Sequence, residues 1–88
     1  MRVILFGNEI DSKSALHDRL QDALQLPSYY GRNLDALFDV LTERSEETEL
    51  LITQWETLAE CLGHYAAALM DTLYDAAKEN PNLTVKVE

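Results

Sequence analysis

Three short runs of strand-forming residues, each separated from the next by two helix-length segments, restrict this chain to one kind of architecture. Val3-Ile4-Leu5-Phe6 closes on Gly7-Asn8, Leu50-Leu51-Ile52 follows a polar loop, and Leu83 to Glu88 alternates apolar and polar residues. Strands joined through helices cannot make a tight hairpin, so they pair in parallel. The expected order is β-α-α-β-α-α-β, an α/β fold with a three-stranded parallel sheet and the Leu50 run in the middle. The first run is apolar throughout, which predicts a strand covered on both faces or nearly so. The last has one apolar face, and Lys86 on the other guards an edge. A chain of 88 residues makes one domain, residues 1–88. It can bury about 60–65% of its unfolded surface, enough for one modest core.

The helices show their stripes and their ends. Ser12 or Ser14 caps a helix running to about Gln25, with Leu16, Leu20, Ala23 and Leu24 inward and His17 beside them, read as a surface or satisfied structural histidine rather than a ligand. Thr53-Gln54-Trp55-Glu56 fits a capping box, in which Thr53 serves the helix amides and Glu56 reaches back. That helix ends at Leu62, where Gly63 is a natural stop. Trp55 at its start reads as a core anchor, and Cys61 as a small buried residue. The last helix spans His64 to Glu79. Ala66, Leu69, Met70, Leu73 and Ala77 form its buried stripe, while Asp71, Asp75, Lys78 and Glu79 face water. Asn80-Pro81-Asn82 then breaks the chain.

The stretch from Leu26 to Thr42 carries the functional signal. Pro27 ends the first helix. Tyr29, Tyr30 and Gly31 follow, with Gly31 free to take a backbone conformation closed to other residues. Asn33 is an N-cap for a helix from Leu34 to Glu43. At about 100° per residue, Leu34, Leu37 and Leu41 share one face, while Asp35, Asp39 and Glu43 share another. Carboxylates spaced four apart oppose helix formation by about 0.2–0.5 kcal/mol per pair. Asp35 recovers part of that from the helix dipole. Phe38 borders the acidic stripe. Aromatics framed by carboxylates beside a glycine loop read as a protein-binding surface.

This segment resembles the barstar family, small intracellular inhibitors of ribonucleases. The resemblance rests on Leu26-Pro27, Tyr29-Tyr30-Gly31, Asn33-Leu34-Asp35-Ala36-Leu37, an aromatic at 38, Asp39 and Leu41-Thr42; weaker similarity extends along the whole chain. It implies helices packed mainly on one side of the sheet, and a loop and helix that plug a ribonuclease active site. Asp35 and Asp39 would meet active-site arginines, with Asp39 at a substrate phosphate position. Tyr29, Tyr30, Gly31, Asn33, Leu34 and Phe38 would complete the contact, and Asp75 would add an acidic contact. Three departures stand out: Phe38 and Arg44 replace tryptophans of the best-known member, and Asp75 replaces a glutamate. An arginine at 44 is expected to set a cation at the rim of an anionic interface and so to shift specificity.

Composition bounds the rest. Sixteen acidic and seven basic residues give a net charge of −9, which repels nucleic acid and anionic membranes and draws cationic partners. One cysteine permits no intrachain disulfide, in keeping with a reducing compartment. The N-terminal apolar run is too short for a secretion signal, and no run approaches the ~20 residues of a membrane span. The expectation is a cytoplasmic protein, monomeric when free. No metal-ligand spacing, phosphate loop, cofactor motif or nucleophile motif is present. Three functions compete: an inhibitor that occludes a cationic ribonuclease, a module of the same fold that binds a different basic protein or toxin, and a small hydrolase using Asp35 and Asp39. The last is disfavoured, because a helix face on a small domain lacks the pocket in which carboxyl pKa values are tuned. The chain is therefore read as no enzyme.

Overall fold

A computed structural model describes residues 1–88. The sheet holds β1 (Arg2–Phe6), β2 (Thr48–Thr53) and β3 (Leu83–Val87), all parallel, with β2 central. A 3-10 turn at Gly7–Glu9 leads into α1 (Lys13–Ala23), followed by α2 (Leu34–Glu43). After β2 come α3 (Trp55–Leu62) and α4 (His64–Glu79). This is the α/β order expected from the spacing of the strand runs.

Register places Val3, Leu50 and Val85 in one row across the sheet, and Leu5, Ile52 and Val87 in the next. These rows face the helices. Val3, Leu5, Leu50 and Ile52 join Leu16 and Leu20 of α1, Leu37 and Leu41 of α2, Leu58 of α3 and Leu69 and Leu73 of α4 in one buried cluster. Trp55 is half-buried against that cluster, as an anchor at a strand-to-helix corner should be. In α4 the buried alanines are Ala66, as expected, and Ala76; Met70 and Ala77 are only half-buried.

Three expectations about local structure need correction. β1 is not covered on both faces: Ile4 is 41% and Phe6 50% exposed, so only Val3 and Leu5 are buried. A continuous apolar run carries no period, and here the helices lie on the opposite face. The capping box at Thr53 does not form. Thr53 is the last residue of β2, its hydroxyl donates to the Leu5 carbonyl, and Gln54 occupies the N-cap in a left-handed conformation with no side-chain cap. Strand pairing with Phe6 extends one residue beyond the apolar run and claims Thr53 first. Cys61 is exposed rather than buried. At the same helix end, Gly63 takes φ +58, the left-handed value that favours glycine at a helix stop.

Candidate functional site

The loop from Leu26 to Asn33 is held by bonds within itself and to α1 before α2 begins. The Tyr30 amide donates to the Pro27 carbonyl at 3.0 Å, closing a turn, and Gln21 Nε2 donates to the same carbonyl. Asn33 grips both sides of the helix start. Its Oδ1 accepts from the Ala36 amide at 2.8 Å, and its Nδ2 donates to the Gly31 carbonyl. The residue with positive φ is Arg32, at +56, and not Gly31. Gly31 is small for another reason: a Cβ there would stand 3.0 Å from that of Ala36. The Arg32 guanidinium folds back onto α1, pairing with Asp18 at 2.7 Å and donating to Gln21 Oε1 and the Ser14 carbonyl.

Tyr30 does not belong to the exposed surface. It is 5% exposed, and its hydroxyl lies 2.8 Å from Nδ1 of His17. Nε2 of His17 meets the Tyr65 hydroxyl at 2.8 Å, so α1, the loop and α4 are tied through one imidazole. Burial lowers the His17 pKa, with the Arg32 charge adding to the effect and the Asp18 charge opposing it. Burial pushes the Tyr30 phenol up to about 12. With Tyr30 sunk into the core, its neighbour Tyr29 is left 86% exposed.

The α2 helix carries the remaining candidates. Leu37 and Leu41 are fully buried, which turns Asp35, Asp39 and Glu43 outward. Gly31 and Asn33 are exposed, while Leu34 and Phe38 are half-buried against the core with an outer edge in solvent. Asp75 is exposed on α4, the helix against which α2 packs. None of Asp35, Asp39, Glu43 and Asp75 takes part in an ion pair. The two arginines that flank α2 are both committed elsewhere, Arg32 to Asp18 and Arg44 to Glu46. The acidic stripe therefore faces water with no cation of its own.

Arg44 is not the rim cation expected of it. Its side chain is 15% exposed, and it donates to Thr48 Oγ1, the Leu24 carbonyl, Met1 Sδ and Glu46 Oε2. The half-buried guanidinium turns inward because unpaired carbonyl and hydroxyl oxygens there need donors. A second anchor is Asn80, 4% exposed, whose Nδ2 donates to the carbonyls of Leu41 and Arg44 at 2.8 and 2.9 Å. It fixes the C-terminal end of α2 from the C-cap of α4. As sequence, Asn80-Pro81-Asn82 shows only a chain break; nothing local reveals this reach of 39 residues.

The surface is convex where the acids stand. Asp35 and Asp39 line none of the four surface depressions of the molecule. No group of three or more potential metal ligands is brought together, and no helix is long and apolar enough to cross a membrane.

The sequence model of the family described as Barstar (barnase inhibitor) matches residues 1–88. The chain belongs to the barstar family. A Bacillus subtilis (strain 168) protein named "Putative ribonuclease inhibitor YrdF" is 37% identical over 79 residues, covering 89% of this chain and 87% of that relative. In barstar terms, the loop and helix just described are the segment on which the resemblance rests. Its loop is held by Asn33 and by the arginine and histidine ties to α1.

Proposed function

We propose that this barstar-family chain inhibits a ribonuclease by laying the Tyr29 loop and the outer face of α2 across a cationic active site. Asp39, at the centre of the acidic stripe, stands in for a substrate phosphate, and Asp35 pairs with a neighbouring cation. Tyr29 and the outer edges of Phe38 and Leu34 supply apolar contact around them, Gly31 and Asn33 allow close approach of backbone, and Asp75 extends the acidic field from α4. Tyr30 supports this surface from behind. The free inhibitor is monomeric and works in the cytoplasm, and its partner is a cationic protein rather than a nucleic acid or membrane.

The observation that carries this reading is a stripe of unpaired carboxylates beside an 86% exposed tyrosine on a loop tied down at Pro27, Tyr30, Arg32 and Asn33. Carboxylates left without partners in the free protein need no rearrangement to receive cations, and a loop fixed in advance loses little entropy on binding. A net charge of −9 also speeds encounter with a basic cleft. Steering in this family's own inhibitor–ribonuclease pair is the standard example of that effect, and only its direction is carried to this chain. Catalysis by Asp35 and Asp39 is the weaker reading, because both stand on a convex face where water is not excluded.

The test is a titration of this protein into a barnase-type ribonuclease during RNA cleavage. The expected result is loss of cleavage that follows the amount of inhibitor added. Undiminished cleavage with the inhibitor in excess, or RNA cleavage by this chain alone, would overturn the proposal.

A further inference from the structure

Beside the acidic stripe lies a groove of about 490 Å³ between the Tyr29 loop and the C-terminal end of α2. Its apolar wall is Leu26, Pro27, Val40 and the exposed ring of Tyr29, and Glu43 and Glu46 stand at its edge. Three features make the α2 end of this groove anionic. Glu43 is the last residue of α2, where the helix dipole is already negative, and the last turn holds no basic residue. The carbonyls of the lining residues Val40 and Glu43 accept no hydrogen bond from the loop that follows. Arg44, the one cation lining the groove, is turned inward and neutralised by Glu46 at 3.1 Å. A carboxylate at a helix C-terminus opposes the helix that carries it. Here it is left without compensation at the edge of an open groove that is apolar on one wall and polar on the other.

We infer that this groove is a second cation-accepting subsite, shaped for an arginine side chain of the partner protein and lying at the Glu43 end of the acidic stripe, beyond Asp35 and Asp39. The aliphatic stem of such a side chain covers Leu26, Pro27 and Val40, its planar guanidinium lies against the Tyr29 ring, and its N–H groups reach Glu43 and the free carbonyls. A carboxylate, uncapped carbonyls and an aromatic face all favour a cation, and the apolar wall favours a long stem over a bare ion. The subsite rests on the inhibitor reading only for the identity of the protein that bears the arginine. Partners with an arginine at this place are selected over those with a carboxylate there.

The probe is N-acetylarginine methylamide, titrated into the labelled protein with amide resonances followed by NMR. Saturable shifts are expected at Tyr29, Val40 and Glu43. They should vanish in Glu43→Gln, which leaves the buried contacts of α2 untouched, and persist in Asp39→Asn. Shifts that survive Glu43→Gln, that disappear in Asp39→Asn, or that do not saturate would overturn the subsite. No ribonuclease enters this experiment, so its failure is distinct from failure of the RNA-cleavage test.

Discussion

The hydroxyl of Tyr30 lies 2.8 Å from Nδ1 of His17, while the adjacent Tyr29 is 86% exposed. One tyrosine is locked into the core so that the next is held out in solvent at a fixed place. The same imidazole meets the Tyr65 hydroxyl, and Lys13 sits 4.6 Å over the Tyr65 ring. A neutral imidazole has one donor and one acceptor nitrogen, so one hydroxyl donates and the other accepts. Protonation makes both nitrogens donors and leaves one O–H without its acceptor.

The first prediction concerns acid. The folded chain binds the His17 proton less readily than the unfolded chain, because its pKa is lowered from the ordinary 6.5. Stability from this site is therefore complete above 6.5 and is lost as pH falls from there through the lowered value. Urea denaturation of wild type and His17→Gln across this interval measures it. The variant should show a shallower decline below 6.5, and parallel curves would show that His17 contributes no pH dependence.

Tyr30→Phe keeps the buried ring and removes only the hydroxyl. It leaves His17 Nδ1 unsatisfied in the core, at a cost of about 1–3 kcal/mol. Tyr29→Ala, at an 86% exposed position, should leave the denaturation midpoint nearly unchanged and weaken partner binding. If both variants shift the midpoint equally, the division of labour between the two tyrosines is wrong.

Asp39→Ala should weaken ribonuclease binding more than any other single truncation on the surface, with folding nearly unaffected. The carboxylate is exposed, unpaired and central on α2, so its loss disturbs nothing in the free protein. In the complex it leaves partner cations buried without a counter-charge. Calorimetry of both proteins against the same ribonuclease decides this, and equal affinities would remove α2 from the interface.

Arg44 and Asn80 are predicted to act on stability. Removing Asn80 with alanine orphans the carbonyls of Leu41 and Arg44, and removing Arg44 orphans that of Leu24. Each should cost about 1–3 kcal/mol. Hydrogen exchange should show faster opening of the last turn of α2 in Asn80→Ala. Unchanged protection there would mean that the bonds to Asn80 do not hold the helix end.

Association with the ribonuclease should slow as ionic strength rises, since salt screens the field of a chain with net charge −9. Stopped-flow rates that do not depend on salt would assign the acidity to solubility alone.

Periodicity and chain punctuation determined most of the fold. Three strand runs separated by paired helices left only a parallel sheet with β2 in the middle, and Asn33, Ser12 and Gly63 marked their helix ends because capping depends on residues a few positions apart. The acidic stripe was equally legible, since Leu37 and Leu41 fix which way Asp35, Asp39 and Glu43 must point. What the tertiary structure decided lies in contacts between residues distant along the chain. Tyr29 and Tyr30 are the same residue type side by side, and only the position of His17 on α1 sends one inward and the other out. Arg44 looks like a free cation until Thr48, Leu24 and Met1 are brought around it. Ile4 and Phe6 look buried until the helices are seen to take the opposite face of the sheet. A side chain's local period sets its direction, but whether that direction meets water, a hydrogen-bond partner or another helix is fixed only when the whole chain has closed.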